Sequence, residues 1–103
     1  MKTLDRFLKY VSVDTQSDPD AECFPSTAKQ KVLLEMLKNE LIEIGVSNAR
    51  MDENGYVYAS IPANCEGKPA IGFLSHADTS SAVSGESVKP SIIRYEGGDI
   101  VLN

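Results

Sequence analysis

No run of 18 apolar residues occurs in this chain, so no membrane-crossing helix is written into it. The opening residues Met1-Lys2-Thr3-Leu4-Asp5-Arg6-Phe7-Leu8-Lys9 are broken by charge before an apolar signal segment can form. A cytoplasmic protein is the expectation. No cluster of lysine and arginine is present, and 15 acidic residues outnumber 10 basic ones, for a net charge of -5. Such a balance does not follow a phosphate backbone, so neither nucleic acid nor membrane is an expected partner. Cysteine is scarce: Cys23 and Cys65 stand far apart without Cys-x-x-Cys spacing, which gives two reduced thiols and no cysteine metal site. A Gly-rich phosphate loop, a Glu-Glu pair, internal repeats and low-complexity segments are all missing. Histidine occurs once, at position 76.

What is present, 103 residues with 42% apolar and 24% charged composition, suits one globular domain. Leu4, Phe7, Leu8 and Val11 recur at helical steps opposite Asp5, Arg6 and Lys9, which predicts a short amphipathic helix ending near Val13. The polar stretch from Asp14 to Asp20 reads as a loop running on through Pro25. Thr27 with Gln30 three residues later is a capping-box pattern. From there Leu33, Leu34, Leu37, Leu41 and Ile44 form one apolar face of a second helix, with Met36 as filler, and Gly45 supplies a left-handed stop. The period then alternates over Asn48 to Asp52 and Tyr56 to Ile61, and Asn54-Gly55 between them is a strong hairpin signal.

Beyond the loop at 63–69, Ala70-Ile71-Gly72-Phe73-Leu74 is apolar at successive positions, as in a strand covered on both faces. A central buried strand is therefore expected at about 70–75, with His76 at its carboxyl end. Residues 79–90 read as a long surface loop, and 91–95 and 99–103 as further short strands around Gly97-Gly98. The expected fold class is α/β, two helices packed on a mixed sheet. Ser75-His76-Ala77-Asp78-Thr79-Ser80 thus sits where open α/β sheets keep their sites. An imidazole and a carboxylate two residues apart can serve as a zinc ligand and its orienting acceptor, or simply as a turn pair.

Four segments resemble one family in order and spacing: Tyr10-Val11-Ser12-Val13-Asp14-Thr15-Gln16-Ser17; Pro25-Ser26-Thr27 leading to Gln30; Gly72-Phe73-Leu74-Ser75-His76-Ala77-Asp78-Thr79-Ser80; and Gly97-Gly98-Asp99-Ile100-Val101-Leu102-Asn103. They are similar to the start of the peptidase T family, the cytoplasmic tripeptide aminopeptidases among the co-catalytic zinc metallopeptidases. The resemblance implies an α/β catalytic domain holding two zinc ions, with a lid and dimerisation domain later in the chain. It also implies that His76 ligates one zinc and that Asp78 is the catalytic aspartate that orients it. Thr15 and Ser80 fall in family strings without assigned chemistry.

A two-zinc site needs about four ligands per metal and a general base. The family draws these from a bridging aspartate, paired glutamates, a further aspartate and a second histidine, all in later sequence. Asp14, Asp18, Asp20 and Glu22 read as solvated loop carboxylates, and Asp52, Glu53, Glu96 and Asp99 as turn residues. Residues 1–103 are therefore expected to be the amino-terminal part of a longer catalytic domain, inactive alone and holding zinc weakly or not at all by itself. The substrate implied for the intact enzyme is a tripeptide. An unpaired central strand would expose an apolar edge, so self-association of this piece is also expected. Two alternatives remain: a self-standing, non-catalytic α/β interaction module, or a related dipeptidase, carboxypeptidase or deacylase.

Overall fold

The computed structural model describes residues 1–102; elements follow in the order α1 (Thr3–Val11), α2 (Gln30–Glu43), β1 (Arg50–Met51) and β2 (Val57–Tyr58). The expected last strand at 99–103 includes Asn103, which lies outside the described residues; 99–102 form no strand. α1 starts where the Asp5 carboxylate accepts the Lys2 backbone N–H at 3.2 Å. It ends two residues before Val13, because the Ser12 hydroxyl donates to the Lys9 carbonyl at 2.7 Å and competes with a further helical turn.

α2 turns the expected stripe inward: Leu33 is buried, and Leu34, Leu37 and Leu41 are half-buried where the helix packs on both strands. Ile44, counted in that stripe, is exposed. The stop at Gly45 is a Schellman motif: φ is +101°, Gly45 N–H donates to the Ile42 carbonyl at 3.0 Å, and Val46 N–H to the Leu41 carbonyl at 2.9 Å. The capping box is not formed as the sequence suggests. Thr27 Oγ1 donates to the Gln16 carbonyl at 2.7 Å and accepts from Gln30 Nε2 at 3.0 Å, so its hydroxyl ties the helix to the preceding loop.

Glu40 pins α1 against α2. Its carboxylate is nearly buried and accepts from Lys9 Nζ and the Tyr10 hydroxyl, with Arg6 Nε 3.5 Å away. The Lys9 bond first, then the Tyr10 bond, hold the Glu40 carboxyl below its ordinary range. Burial first, and then the Glu40 contact, push the Tyr10 phenol up.

The hairpin forms as expected, antiparallel with Arg50 opposite Tyr58 and Met51 opposite Val57. Asp52 Oδ1 accepts from the Asn54 and Tyr56 backbone N–H groups at 3.0 and 2.9 Å, closing the turn. Gly55 is required there, since φ is +89° and a Cβ would stand 3.1 Å from Leu34 Cδ1. Asn48 extends the pairing through three hydrogen bonds to Ser60. Arg50 lies over the Tyr58 ring, 4.6 Å from its centroid.

The sheet itself departs from expectation. It is two-stranded and antiparallel, not mixed, and residues 70–75 form no strand. Ile71, Phe73 and Leu74 are 79%, 94% and 96% exposed, the opposite of a central strand. A strand exists only when a neighbour takes its N–H and C=O groups, and among the described residues no segment pairs with this run. Residues 91–95 likewise form no strand. Leu4 and Phe7 on the α1 stripe are also exposed. Among the described residues the only buried apolar side chains are Leu33 and Ala49. The chain exposes 8735 Å², against about 5,700 Å² for a folded monomer of this size. Its radius of gyration is 17.0 Å, against about 13 Å for a closed domain.

Glu40→Gln should cost about 1–2 kcal/mol of α1–α2 docking, read as lost helicity at 222 nm on heating. Because the folded Glu40 carboxyl is depressed, its contribution is full above the unfolded value of about 4.3 and is lost as pH falls through the lower folded value. In sedimentation, the chain should associate as concentration rises, and Phe73→Glu with Leu74→Glu should return it to monomer; a monomeric wild type at all concentrations would contradict the exposed-surface argument.

Candidate functional site

The site is assembled from the loop after α1 and the segment after the exposed run. Asp14 Oδ1 accepts the Gln16 N–H at 3.0 Å, turning the chain so that residues 15–17 lie extended beside Thr79. Thr79 N–H donates to the Thr15 carbonyl at 3.1 Å, and Ser17 N–H to the Thr79 carbonyl at 2.9 Å. The Ser17 hydroxyl also donates to that carbonyl, at 2.9 Å. This parallel bridge is the one point where the 70–102 segment is stitched by backbone to the helical part, among the described residues. Thr15, whose carbonyl accepts one of these bonds, is 2% exposed, a fully buried side chain.

Directly before the bridge, His76 Nδ1 lies 3.1 Å from Asp78 Oδ1. With the proton on Nδ1 the imidazole donates to the carboxylate, which leaves the Nε2 lone pair free for a metal. The His76 side chain is 85% exposed and Asp78 44%, so the pair is open to solvent. As a donor set it fits one zinc ligand with its acceptor, and no more. No group of three or more His, Cys, Asp or Glu side chains able to hold a metal comes together among the described residues. Cys23 and Cys65 are both free and exposed. Ser80 Oγ accepts the Ala82 N–H at 3.2 Å, a local turn contact.

The pair borders an open cleft of about 1800 Å³. Tyr10, Leu33, Leu37, Val57, Phe73, Leu74 and His76 are among the residues that line it. A smaller hollow of about 240 Å³ at Asn48, Arg50 and Ser60 contains neither candidate residue.

Asp14 corrects its reading as a solvated loop acid. It is half-buried, with Oδ2 2.7 Å from Lys29 Nζ, and that bond is the main reason its carboxyl sits below the ordinary range. Gln16, a second residue not singled out, donates from Nε2 to the carbonyls of Ser81 and Val83 at 3.1 and 3.0 Å. The signal for both was the Asp14-Thr15-Gln16-Ser17 string itself. Asp18 is exposed, as its reading as a solvated loop acid expects, and also accepts the Asp20 N–H at 3.0 Å.

No family model matches the chain. Individual proteins do. It is 52% identical over 104 residues to a peptidase T of Parabacteroides distasonis, covering 100% of this chain and 26% of that protein. Against a peptidase T of Clostridium acetobutylicum it is 53% identical, covering 99% and 26%. Against that of Bacillus subtilis it is 51% identical over 102 residues, covering 97% and 25%. Half of all positions agree from end to end, and the chain belongs to the peptidase T family as a segment of it. It spans about a quarter of the length of the curated relatives it matches.

Gly85 reports on the bridge, because a Cβ there would meet Asp14 Oδ1 at 2.8 Å, and that oxygen is already committed to Gln16. Gly85→Ala should cost about 1 kcal/mol locally and speed amide exchange at Ser17 and Thr79 severalfold in ¹⁵N-resolved spectra. Amides of the hairpin should exchange unchanged.

Proposed function

We propose that this chain is the amino-terminal part of the catalytic domain of a zinc-dependent aminopeptidase that removes the first residue of tripeptides in the cytoplasm. The observation that carries the reading is the 3.1 Å approach of His76 Nδ1 to Asp78, inside a chain about half identical to peptidases T. His76 is one zinc ligand, and Asp78 fixes its tautomer and raises its basicity. Two zinc ions, when bound in the whole enzyme, would polarise the scissile carbonyl and acidify a water. The chain's own part is narrower: it sets His76 on the lining of the cleft and holds Nδ1 of its ring on a carboxylate, leaving Nε2 as the metal-binding nitrogen. The remaining ligands, the general base, and the lid and dimerisation domain belong to the rest of the polypeptide.

The exposed run at 70–75 supports this reading over a self-standing module. A module complete in itself would not leave Phe73 and Leu74 almost wholly in water. The neighbouring strands that would cover the run, and make it central in a mixed sheet, come from the rest of the catalytic domain.

Purified residues 1–103 with added zinc should hydrolyse no tripeptide, whereas the whole polypeptide should. In the latter, Asp78→Asn should lower zinc affinity or activity by ~10 to 100-fold, and His76→Ala should cost more. Full activity and full zinc content in His76→Ala would sink the assignment.

A further inference from the structure

Gln16 touches neither His76 nor Asp78, yet every polar group it carries is committed. Its N–H donates to Asp14 Oδ1 and its carbonyl accepts from Thr27 Oγ1. Its side-chain amide has two N–H bonds, and the two carbonyls within reach, Ser81 and Val83 at 3.1 and 3.0 Å, take one each. Two acceptors on the same side settle which end of the amide is nitrogen. The oxygen end then faces the Lys29 ammonium at 3.4 Å, the same ammonium that holds Asp14. This arrangement spans a sequence separation of more than sixty residues.

The consequence is mechanical. Thr79 is clamped by the backbone of residues 15 and 17, and the chain beyond it is clamped at 81 and 83 by the Gln16 side chain. Two fixed points on one side of Asp78 determine how that carboxylate, and the imidazole leaning on it, leave the bridge. Without the second point, residues 80–83 have no other tie to the helical part through hydrogen bonds among the described residues. A glutamate could not replace Gln16, because a carboxylate has no N–H to give and would face two carbonyls.

We propose that Gln16 is a positioning residue for the His76–Asp78 pair, buttressed by Lys29 and Thr27; the proposal rests on the zinc-peptidase reading above. The test compares Gln16→Met and Gln16→Glu with Asn48→Ala, which removes as many hydrogen bonds from the hairpin, away from the site. In the whole polypeptide, both Gln16 variants should lower zinc affinity, measured against a chelator buffer, by ~10-fold or more, as the loss of supporting contacts around a metal ligand typically does. They should lower kcat with KM within about threefold of wild type, because an orienting defect acts on the reacting geometry. Asn48→Ala should change neither.

Hydrogen–deuterium exchange of peptides covering 76–83 supplies a readout that needs no activity. Exchange there should rise at least fivefold in the Gln16 variants and stay unchanged in Asn48→Ala. Faster exchange in the Gln16 variants, where the whole wild-type polypeptide shows no zinc-dependent tripeptidase activity, would leave the clamp standing and remove the function built on it. Unchanged exchange, or wild-type zinc affinity in both Gln16 variants, would overturn the positioning role.

Discussion

Everything about the candidate site depends on one short parallel pairing, residues 15–17 against Thr79. It joins two stretches that are unstructured on either side: the polar loop after α1 and the segment that follows the exposed apolar run. Three hydrogen bonds made by Thr15, Ser17 and Thr79 form it, and Thr15 is sealed within it at 2% exposure. Each hydrogen bond in so small a patch contributes about 1 kcal/mol. The surrounding contacts matter accordingly, and Asp14–Lys29, Gln16 and Thr27 shore up the same few residues from the helical side.

The fold is an arrangement of two partial packings. α2 lies on the hairpin through Leu33 and its neighbours, and α1 hangs on α2 through Glu40 more than through its apolar stripe. Leu4 and Phe7 on its stripe remain 51% and 58% exposed. The polypeptide thereby keeps an open cleft with His76 on its border.

Local signals were legible where local chemistry decides the outcome. Asn54-Gly55 turned the hairpin, and Gly45 ended α2 with the left-handed stop its type allows. The apolar run at 70–74 forms no strand here, because strand identity lies in its neighbours, and among the described residues none pairs with it. Thr27 carried the right residues for a cap but spends its hydroxyl on Gln16, a partner that only the folded loop brings near. Asp14 looked like its acidic neighbours in sequence and differs from them only through Lys29. Glu40 passed unassigned for the same reason, since its importance arises when α1 and α2 meet. That His76 and Asp78 meet is local too: two residues apart, they need only one turn of chain.

The most direct test is a crystal structure of the whole polypeptide grown with zinc, inspected at one residue. The expected result is zinc bonded to Nε2 of His76, with Nδ1 still on Asp78 and Thr79 still paired with Thr15 and Ser17. A zinc site complete without His76, or a His76 ring turned into solvent while the metal sits elsewhere, would contradict the account.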